Sequence, residues 1–303
     1  MKKNKHLLVI VGPTAVGKTE LCLNLAKNFK TEIISSDSRQ FFREMELGTA
    51  KPSAEELKMA RHHFINTLSI HEEYDVKKFE RDTLFLLETL FESHDLVVMT
   101  GGSGLYVDAI CKGFDDIDAV DPNIRRELIQ SFESEGIEPL QRELLNCDPE
   151  YYRTVDLQNP QRLMRALEVF RGTGKPFSAF REKKIQPRPF GIIKIGLKRD
   201  REELYTRINL RMDQMIEKGL FEEAEGLYPF RHLNALQTVG YSEIFGYIEG
   251  EYDKEEAVRL LKRNSRRYAK RQLTWFKKDE QIHWFHPDQY LEIQNLIRNH
   301  IAL

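Results

Sequence analysis

The residues Gly12-Pro13-Thr14-Ala15-Val16-Gly17-Lys18-Thr19 spell GxxxxGK[ST] without a gap. Their chemistry is phosphate binding. The glycines let backbone N–H groups converge on phosphate oxygens, a helix start just beyond adds partial positive charge, and Lys18 neutralises the outer phosphate. Thr19 offers a hydroxyl suited to Mg2+, the cofactor expected here. Any two linked phosphates would satisfy such a loop, so it does not by itself separate a nucleoside triphosphate from another diphosphate. An ATPase needs an apolar strand ending in a magnesium-binding Asp. The apolar run Leu96–Thr100 instead enters Gly101-Gly102-Ser103-Gly104, and Asp95 stands at its start.

Elements that would position this loop follow from the spacing of apolar residues. Leu7–Val11 is a short apolar run before Gly12, and Leu21, Leu25 and Ala26 after Lys18 recur at helical intervals, giving strand, loop and helix. Further strands are expected at Glu32–Ser35, running into Ser36-Asp37-Ser38, and at Leu96–Thr100. Strands that each end in a polar or glycine-rich turn suit a parallel α/β sheet whose ligands bind beyond the carboxyl ends. From about Asp115 the chain changes to charged helical segments broken at Pro122, Pro139, Pro149, Pro160 and Pro176. The run Gly191–Leu197 reads as a strand returning to the core, followed by helices at Arg201–Lys218 and Lys254–Phe276, a strand at Ile282–Phe285 and a helix from Asp288. The expected fold class is therefore α/β, a P-loop NTPase-like parallel sheet with a helical insertion. Residues 1–114 and 191–303 form the core, and 115–190 the insertion.

Composition narrows the classes. A hydrophobic fraction of 41% with 31% charged residues suits a soluble globular protein, and no apolar run reaches bilayer length. Lysines precede Leu7–Val11 as in a signal peptide, but the run is short and leads into the glycine motif. A cytoplasmic protein without membrane contact is expected. Cys22, Cys111 and Cys147 are far apart, against a disulfide framework or a CxxC metal site. His62-His63 lacks a partner at ligand spacing, so no metal is assigned there. The net charge of −2 conceals a segment, Arg259–Lys278, with nine basic residues and no acidic one, able to meet a polyanion. Within it Arg259, Arg263, Arg266 and Lys270 recur at helical spacing as a charged stripe. Trp275 and Phe276 read as core.

A series of motifs in order, GPTAVGKT at Gly12–Thr19, ISSDSRQ at Ile34–Gln40, GTAKP at Gly48–Pro52, GGSGLY at Gly101–Tyr106, NPQRLMRALE at Asn159–Glu168, VGY at Val239–Tyr241 and RRYAKRQLTWF at Arg266–Phe276, resembles the bacterial tRNA dimethylallyltransferase family over nearly the whole chain. Two positions depart from it: Ser103 stands where threonine is usual, and Phe42 where tyrosine is common. The zinc-finger extension of eukaryotic relatives is absent. The resemblance implies transfer of a dimethylallyl group from dimethylallyl diphosphate to the N6 amine of the adenosine 3′ of the anticodon, in tRNAs reading codons that begin with U. Partners would be the tRNA anticodon stem-loop and dimethylallyl diphosphate, with no obligatory protein partner.

Roles follow from that chemistry. The exocyclic amine of adenine is a weak nucleophile and needs a base, for which the resemblance supplies Asp37; an aspartate after a strand also makes an Asx-turn. Loss of diphosphate places negative charge on the leaving group, to be met by Lys18, Thr19 and the loop amides. Ser103 is implied to hydrogen-bond the bridging oxygen, and it also suits a helix N-cap. Arg207 and Arg211 lie one turn apart on a predicted helix and share a face, as diphosphate ligands or as solvated arginines. Asn159 and Pro160 read as cap and first turn, with Leu163, Leu167 and Phe170 on the packed side. The family match assigns Gln161, Arg162, Leu163, Met164 and Arg165, together with Arg125, to tRNA. It also brings Asp37, Ser38, Arg39, Gln40 and Ser103 to the RNA, and the basic stripe adds Arg263, Arg266 and Lys270. A P-loop small-molecule kinase and a nucleic-acid-binding module with a structural P-loop are the rival readings.

Overall fold

The computed structural model of the chain describes residues 5–113, 120–180 and 186–301. The lysines at the start, Lys2 and Lys3, and the expected boundary at Phe114 and Asp115 lie outside the described residues. Two compact units are present, Met1–Cys111 with Arg188–Leu303, and Lys112–Pro187.

In chain order the elements are β1 (His6–Val11), α1 (Lys18–Phe29), β2 (Ile33–Ser35), α2 (Ala54–Met59), β3 (His62–His63), α3 (Val76–Ser93), β4 (Leu96–Gly101) and α4 (Gly104–Lys112). The second unit follows with α5 (Pro122–Glu135), α6 (Glu138–Cys147), α7 (Pro149–Tyr152) and α8 (Pro160–Thr173). The chain then returns to the first unit as β5 (Gly191–Leu197), α9 (Arg201–Glu217), α10 (Leu220–Leu227), α11 (Ser242–Ile248), α12 (Lys254–Phe276), β6 (His283–Phe285) and α13 (Tyr290–Ile301).

Among the described residues the strands form one parallel sheet in the order β3-β2-β4-β1-β5-β6. Side chains alternate across a strand, so Leu8 and Ile10 of β1 enter one core with Leu21 and Leu25 of α1. Leu7, Val9 and Val11 enter a second core with Phe79 and Leu87 of α3 and Ile110 of α4. Burial on both faces explains why β1 reads as an unbroken apolar run rather than an alternating one. The strand β3 was not expected. It is only His62-His63, without β-branched residues, and its pairing with Ile33 and Ile34 of β2 is a tertiary contact.

A third core gathers under α9 to α12 around Tyr241, Met212, Leu236 and Leu261, and it takes in Phe42 and Met45. Phe42 is a buried packing residue, so the missing phenol oxygen leaves no hole in a polar network. The fully buried Tyr241 donates its hydroxyl to Glu223 at 2.6 Å, and Glu223 also accepts from the amides of Leu47 at 2.7 Å and Gly48 at 3.0 Å. Gly48 has no room for a side chain, because a Cβ there would lie 2.4 Å from the Tyr241 ring. The motifs around Gly48 and Tyr241 are thus two sides of one contact.

In the second unit Leu128, Leu140, Leu144, Tyr151, Leu163 and Leu167 share a small core. Asn159 accepts from the Arg162 amide at 3.2 Å with Pro160 in the first turn, the cap expected from the sequence. Met164 is 2% exposed and Leu163 fully buried. Their side chains hold α8 in place: Leu163 lies on the packed side expected of it, and Met164, expected at the RNA with it, packs there too. Helical periodicity forces this, since both lie on the stripe that includes Leu167.

Trp275 requires a correction. It is 38% exposed, lies over the turn after β4, and donates its indole N–H to Asp108 at 2.9 Å, whereas Phe276 is core. Tyr241→Phe should lower unfolding stability by about 1–3 kcal/mol, because half-buried Glu223 loses its hydroxyl donor. Denaturant unfolding measures this, and an unchanged midpoint would show that the Glu223 contact is not a stabilising one.

Candidate functional site

The phosphate loop leaves β1 at the carboxyl edge of the sheet and enters α1. Gly12 and Gly17 have φ of +148° and +111°, and a Cβ on Gly12 would lie 2.7 Å from the Leu197 carbonyl oxygen. Gly17 is the N-cap of α1 and provides no side-chain cap. The first amides of a helix lack helical acceptors, so this end is open to an anion.

The loop carbonyls are met by cations. Lys18 donates to the Gly12 and Pro13 carbonyls, each at 2.9 Å; Arg207 donates to that of Ala15 at 3.0 Å, and Arg199 to that of Val16 at 2.9 Å. Arg211 hydrogen-bonds the Thr14 hydroxyl. Arg207 and Arg211 therefore both reach the loop from α9, Arg207 from an exposed position. Arg199 was not recognised in the sequence, since it precedes the cap of α9 and carries no spacing signal.

A cavity of about 280 Å³ opens over the loop, lined by Thr14–Thr19, Ser35, Asp37, Thr49, Thr100–Gly102, Arg207 and Arg211. Burial, then the neighbouring Arg211, lowers the Lys18 ammonium to a pKa of about 8, and the Asp37 carboxylate pulls the other way. Burial also lowers Arg211. Two cations destabilised in this manner form a site short of negative charge. Cys22 lies on the wall with its thiol pushed up to about 12 by burial, an inert group.

A second cavity of about 80 Å³ shares Thr14, Asp37, Thr49, Ala50 and Arg211 with the first. Its other walls include the apolar Ile208, Met212, Met215 and Val239, together with Gly48, Gly240, Arg39 and Tyr268. Asp37 thus stands where the cationic chamber meets a second one whose walls mix Arg39 and Arg211 with Ile208, Met212 and Met215. Its Oδ1 accepts from the Arg39 amide at 3.0 Å, so it does form an Asx-turn, and the turn holds the carboxylate at the junction. Ser103 accepts from the Ser38 amide at 3.0 Å and donates to the Ser38 hydroxyl at 3.1 Å, and the Tyr268 phenol lies close to it. Gln40 is committed to structure, accepting from Ser35 at 3.0 Å and donating to the Thr49 and Ala50 carbonyls at 3.3 Å. Asp95 lies at the far edge of the sheet, paired with Lys5 at 2.7 Å.

On α12, the stripe is divided by packing. Arg259 pairs with Glu256 at 2.5 Å, and half-buried Arg266 donates to Asn209 of α9 at 2.6 Å; Arg263 is half-buried and Lys270 exposed. Exposed Arg267 and Arg271 extend the basic surface beyond the stripe read from the sequence. In the second unit, Arg125 hydrogen-bonds Gln161 and lies 3.7 Å from Glu168, which pairs with Arg165 at 3.2 Å; Arg162 is exposed. His63 contacts Glu32 at 2.6 Å and His62 lines the larger cavity.

A family model described as IPP transferase matches residues 40–279. The chain belongs to the IPP transferase family. It is 51% identical over 293 residues to tRNA dimethylallyltransferase 1 of Phocaeicola vulgatus, covering 97% of this chain and 98% of that one. The solved full-length tRNA isopentenylpyrophosphate transferase of Bacillus halodurans has a TM-score of 0.73 at 39% identity, over 98% of this chain and 97% of its own. A eukaryotic dimethylallyltransferase solved acting on tRNA has a TM-score of 0.75 at 28% identity, over 89% of this chain and 69% of its own. The family match starts at Gln40, and the matches to these relatives extend over most of the chain beyond it. Among the described residues, no helix is long and apolar enough to cross a membrane.

An ammonium with a pKa of about 8 is charged below that pH and neutral above it, while a bound anion raises its pKa. Affinity for inorganic pyrophosphate should therefore fall as pH rises through 8, by up to about tenfold per unit. Lys18→Arg should flatten this dependence. Calorimetric titration between pH 7 and 9 tests it, and equal slopes for both proteins would remove Lys18 as the titrating group.

Proposed function

We propose that the protein transfers a dimethylallyl group from dimethylallyl diphosphate to the N6 amine of the adenosine 3′ of the anticodon, in cytoplasmic tRNAs reading U-starting codons, with release of diphosphate. The observation that carries this reading is the position of Asp37 on the shared wall of the cation-lined cavity and a second one that brings Ile208, Met212, Met215 and Val239 close to it. A γ-phosphate acceptor site would not need these apolar side chains beside the base. The names of the relatives support tRNA prenylation, and they do not favour a small-molecule kinase.

In this reading the allylic carbon–oxygen bond breaks while the N6–carbon bond forms. The electron pair leaves with diphosphate, which Lys18, Arg207, Arg211 and the α1 amides stabilise. The proton lost from the amine passes to Asp37, held in register by the Arg39 amide. Ser103 turns its hydroxyl from Ser38 to the bridging oxygen. The Thr19 hydroxyl shares the cavity wall with Ser35 and Asp37, a hard-oxygen set that fits Mg2+ ligated mainly by diphosphate and water. Bound there, the ion would offset charge on the leaving group. Ile208, Met212 and Met215 give the dimethylallyl end a dry surface.

On the RNA side, Ser38, Arg39 and Ser103 flank Asp37, and Arg263, Arg266 and Lys270 supply phosphate contacts from α12. Gln161, Arg162, Arg165 and Arg125 form the corresponding polar surface of the helical unit. An adenosine in a single-stranded loop unstacks at less cost than one in a duplex, which suits an enclosed base at Asp37.

Unmodified tRNA, magnesium and labelled dimethylallyl diphosphate, incubated without ATP, should give labelled tRNA. Transfer that depends on ATP, or no transfer with properly folded protein, would refute the reading. Asp37→Asn should slow transfer by about 10²–10⁴-fold while tRNA binding is kept. Wild-type turnover in that variant would remove Asp37 from the base role.

A further inference from the structure

The segment Arg266–Phe276 stands out for its charges, yet uncharged residues on it reach the site. Tyr268, Gln272 and Trp275 recur at intervals of four and three and so share one face of α12. All three meet the turn after β4. The Tyr268 phenol lies close to Ser103, and a Cβ on Gly104 would lie 2.3 Å from the Trp275 ring.

Gln272 lies between them and is 5% exposed. Its Oε1 accepts from the Thr14 amide at 2.8 Å, and its Nε2 donates to the Gly102 carbonyl at 3.0 Å. Thr14 belongs to the phosphate loop after β1, and Gly102 to the turn after the adjacent strand β4. One side-chain amide thus ties together two walls of the larger cavity. A carboxylate could not donate to Gly102, and an amine could not accept from Thr14. Gly102 is not among the residues with positive φ, so its backbone does not demand glycine. Space does, because a Cβ at position 102 would lie 2.0 Å from the Gln272 Nε2.

We infer that Gln272 is a positioning residue of the proposed diphosphate site: it sets the spacing between the phosphate loop and the β4 turn, and position 102 is glycine to admit its amide. This rests on the diphosphate reading above. Without Gln272 the Thr14 peptide is free to rotate, and the loop amides lose the arrangement that matches two linked phosphates. Gln272 need not touch the ligand.

The test is a double-substitution cycle on the full chain, with calorimetric binding of inorganic pyrophosphate and magnesium as one readout and tRNA affinity as the other. Gln272→Ala and Gly102→Ala should each weaken pyrophosphate binding by about tenfold. Combined, they should weaken it no further than Gln272→Ala alone, because the amide that the new Cβ would displace is already absent. Affinity for tRNA should stay within about twofold. Gln272→Met keeps the side-chain volume and replaces the alanine variant in the cycle if that one fails to fold. Independent effects of the two substitutions, unchanged pyrophosphate binding, or an equal loss of tRNA binding would overturn the inference. A wild-type protein that does not bind pyrophosphate would instead overturn the diphosphate reading itself.

Discussion

A peptide group cannot turn its N–H toward an anion without turning its C=O the other way. In the loop Gly12–Thr19 this constraint governs much of what surrounds the site. The carbonyls of Gly12, Pro13, Ala15 and Val16 are met by Lys18, Arg207 and Arg199, and the Thr14 amide by Gln272. Those partners come from the start of α1, the region from Arg199 through α9, and α12. The loop is therefore held by its own Lys18 and by elements remote in sequence. Holding several cations together out of water is unfavourable alone, and the lowered pKa of Lys18 expresses that cost.

The second feature of the site is the meeting of two cavities at Asp37. Toward the loop the walls are cationic, and on the other side Met212, Met215 and Val239 share the wall with Arg39 and Arg211. A substrate with a charged head and a short hydrocarbon tail can use both sets of residues. The structure maintains this arrangement through close contacts at glycines. Gly48 packs against Tyr241, Gly101 against Ser36 and Gly102 against Gln272, so that turns from different strands approach more closely than side chains would permit.

Much of this was legible in the chain. The parallel sheet was readable because strands buried on both faces are continuous apolar runs, and because polar turns follow each of them. The loop was readable since its whole function depends on local residues at fixed spacing. Less was visible on α12. The charge periodicity of Arg259, Arg263, Arg266 and Lys270 said nothing of Arg266 being drawn to Asn209, or of Trp275 lying exposed over a turn. Leu163 and Met164 show a related limit. A motif matched as a unit does not say which of its members face outward, whereas helical packing does.

By itself, the amino-acid sequence determined the phosphate loop, the strands other than β3, the caps such as Asn159-Pro160 and the basic character of the segment after Arg259. Each depends on neighbours within a few residues, or on a period that one element imposes. Only the tertiary structure decided that Glu223 and Tyr241 would pin Gly48, that Arg199 would support Val16, and that Gln272 would join Thr14 to Gly102. Such bonds span many residues, and no local propensity encodes them. They exist because the sheet order brings β1, β4 and β5 side by side, and the helices that cover this edge must satisfy the polar groups they bury.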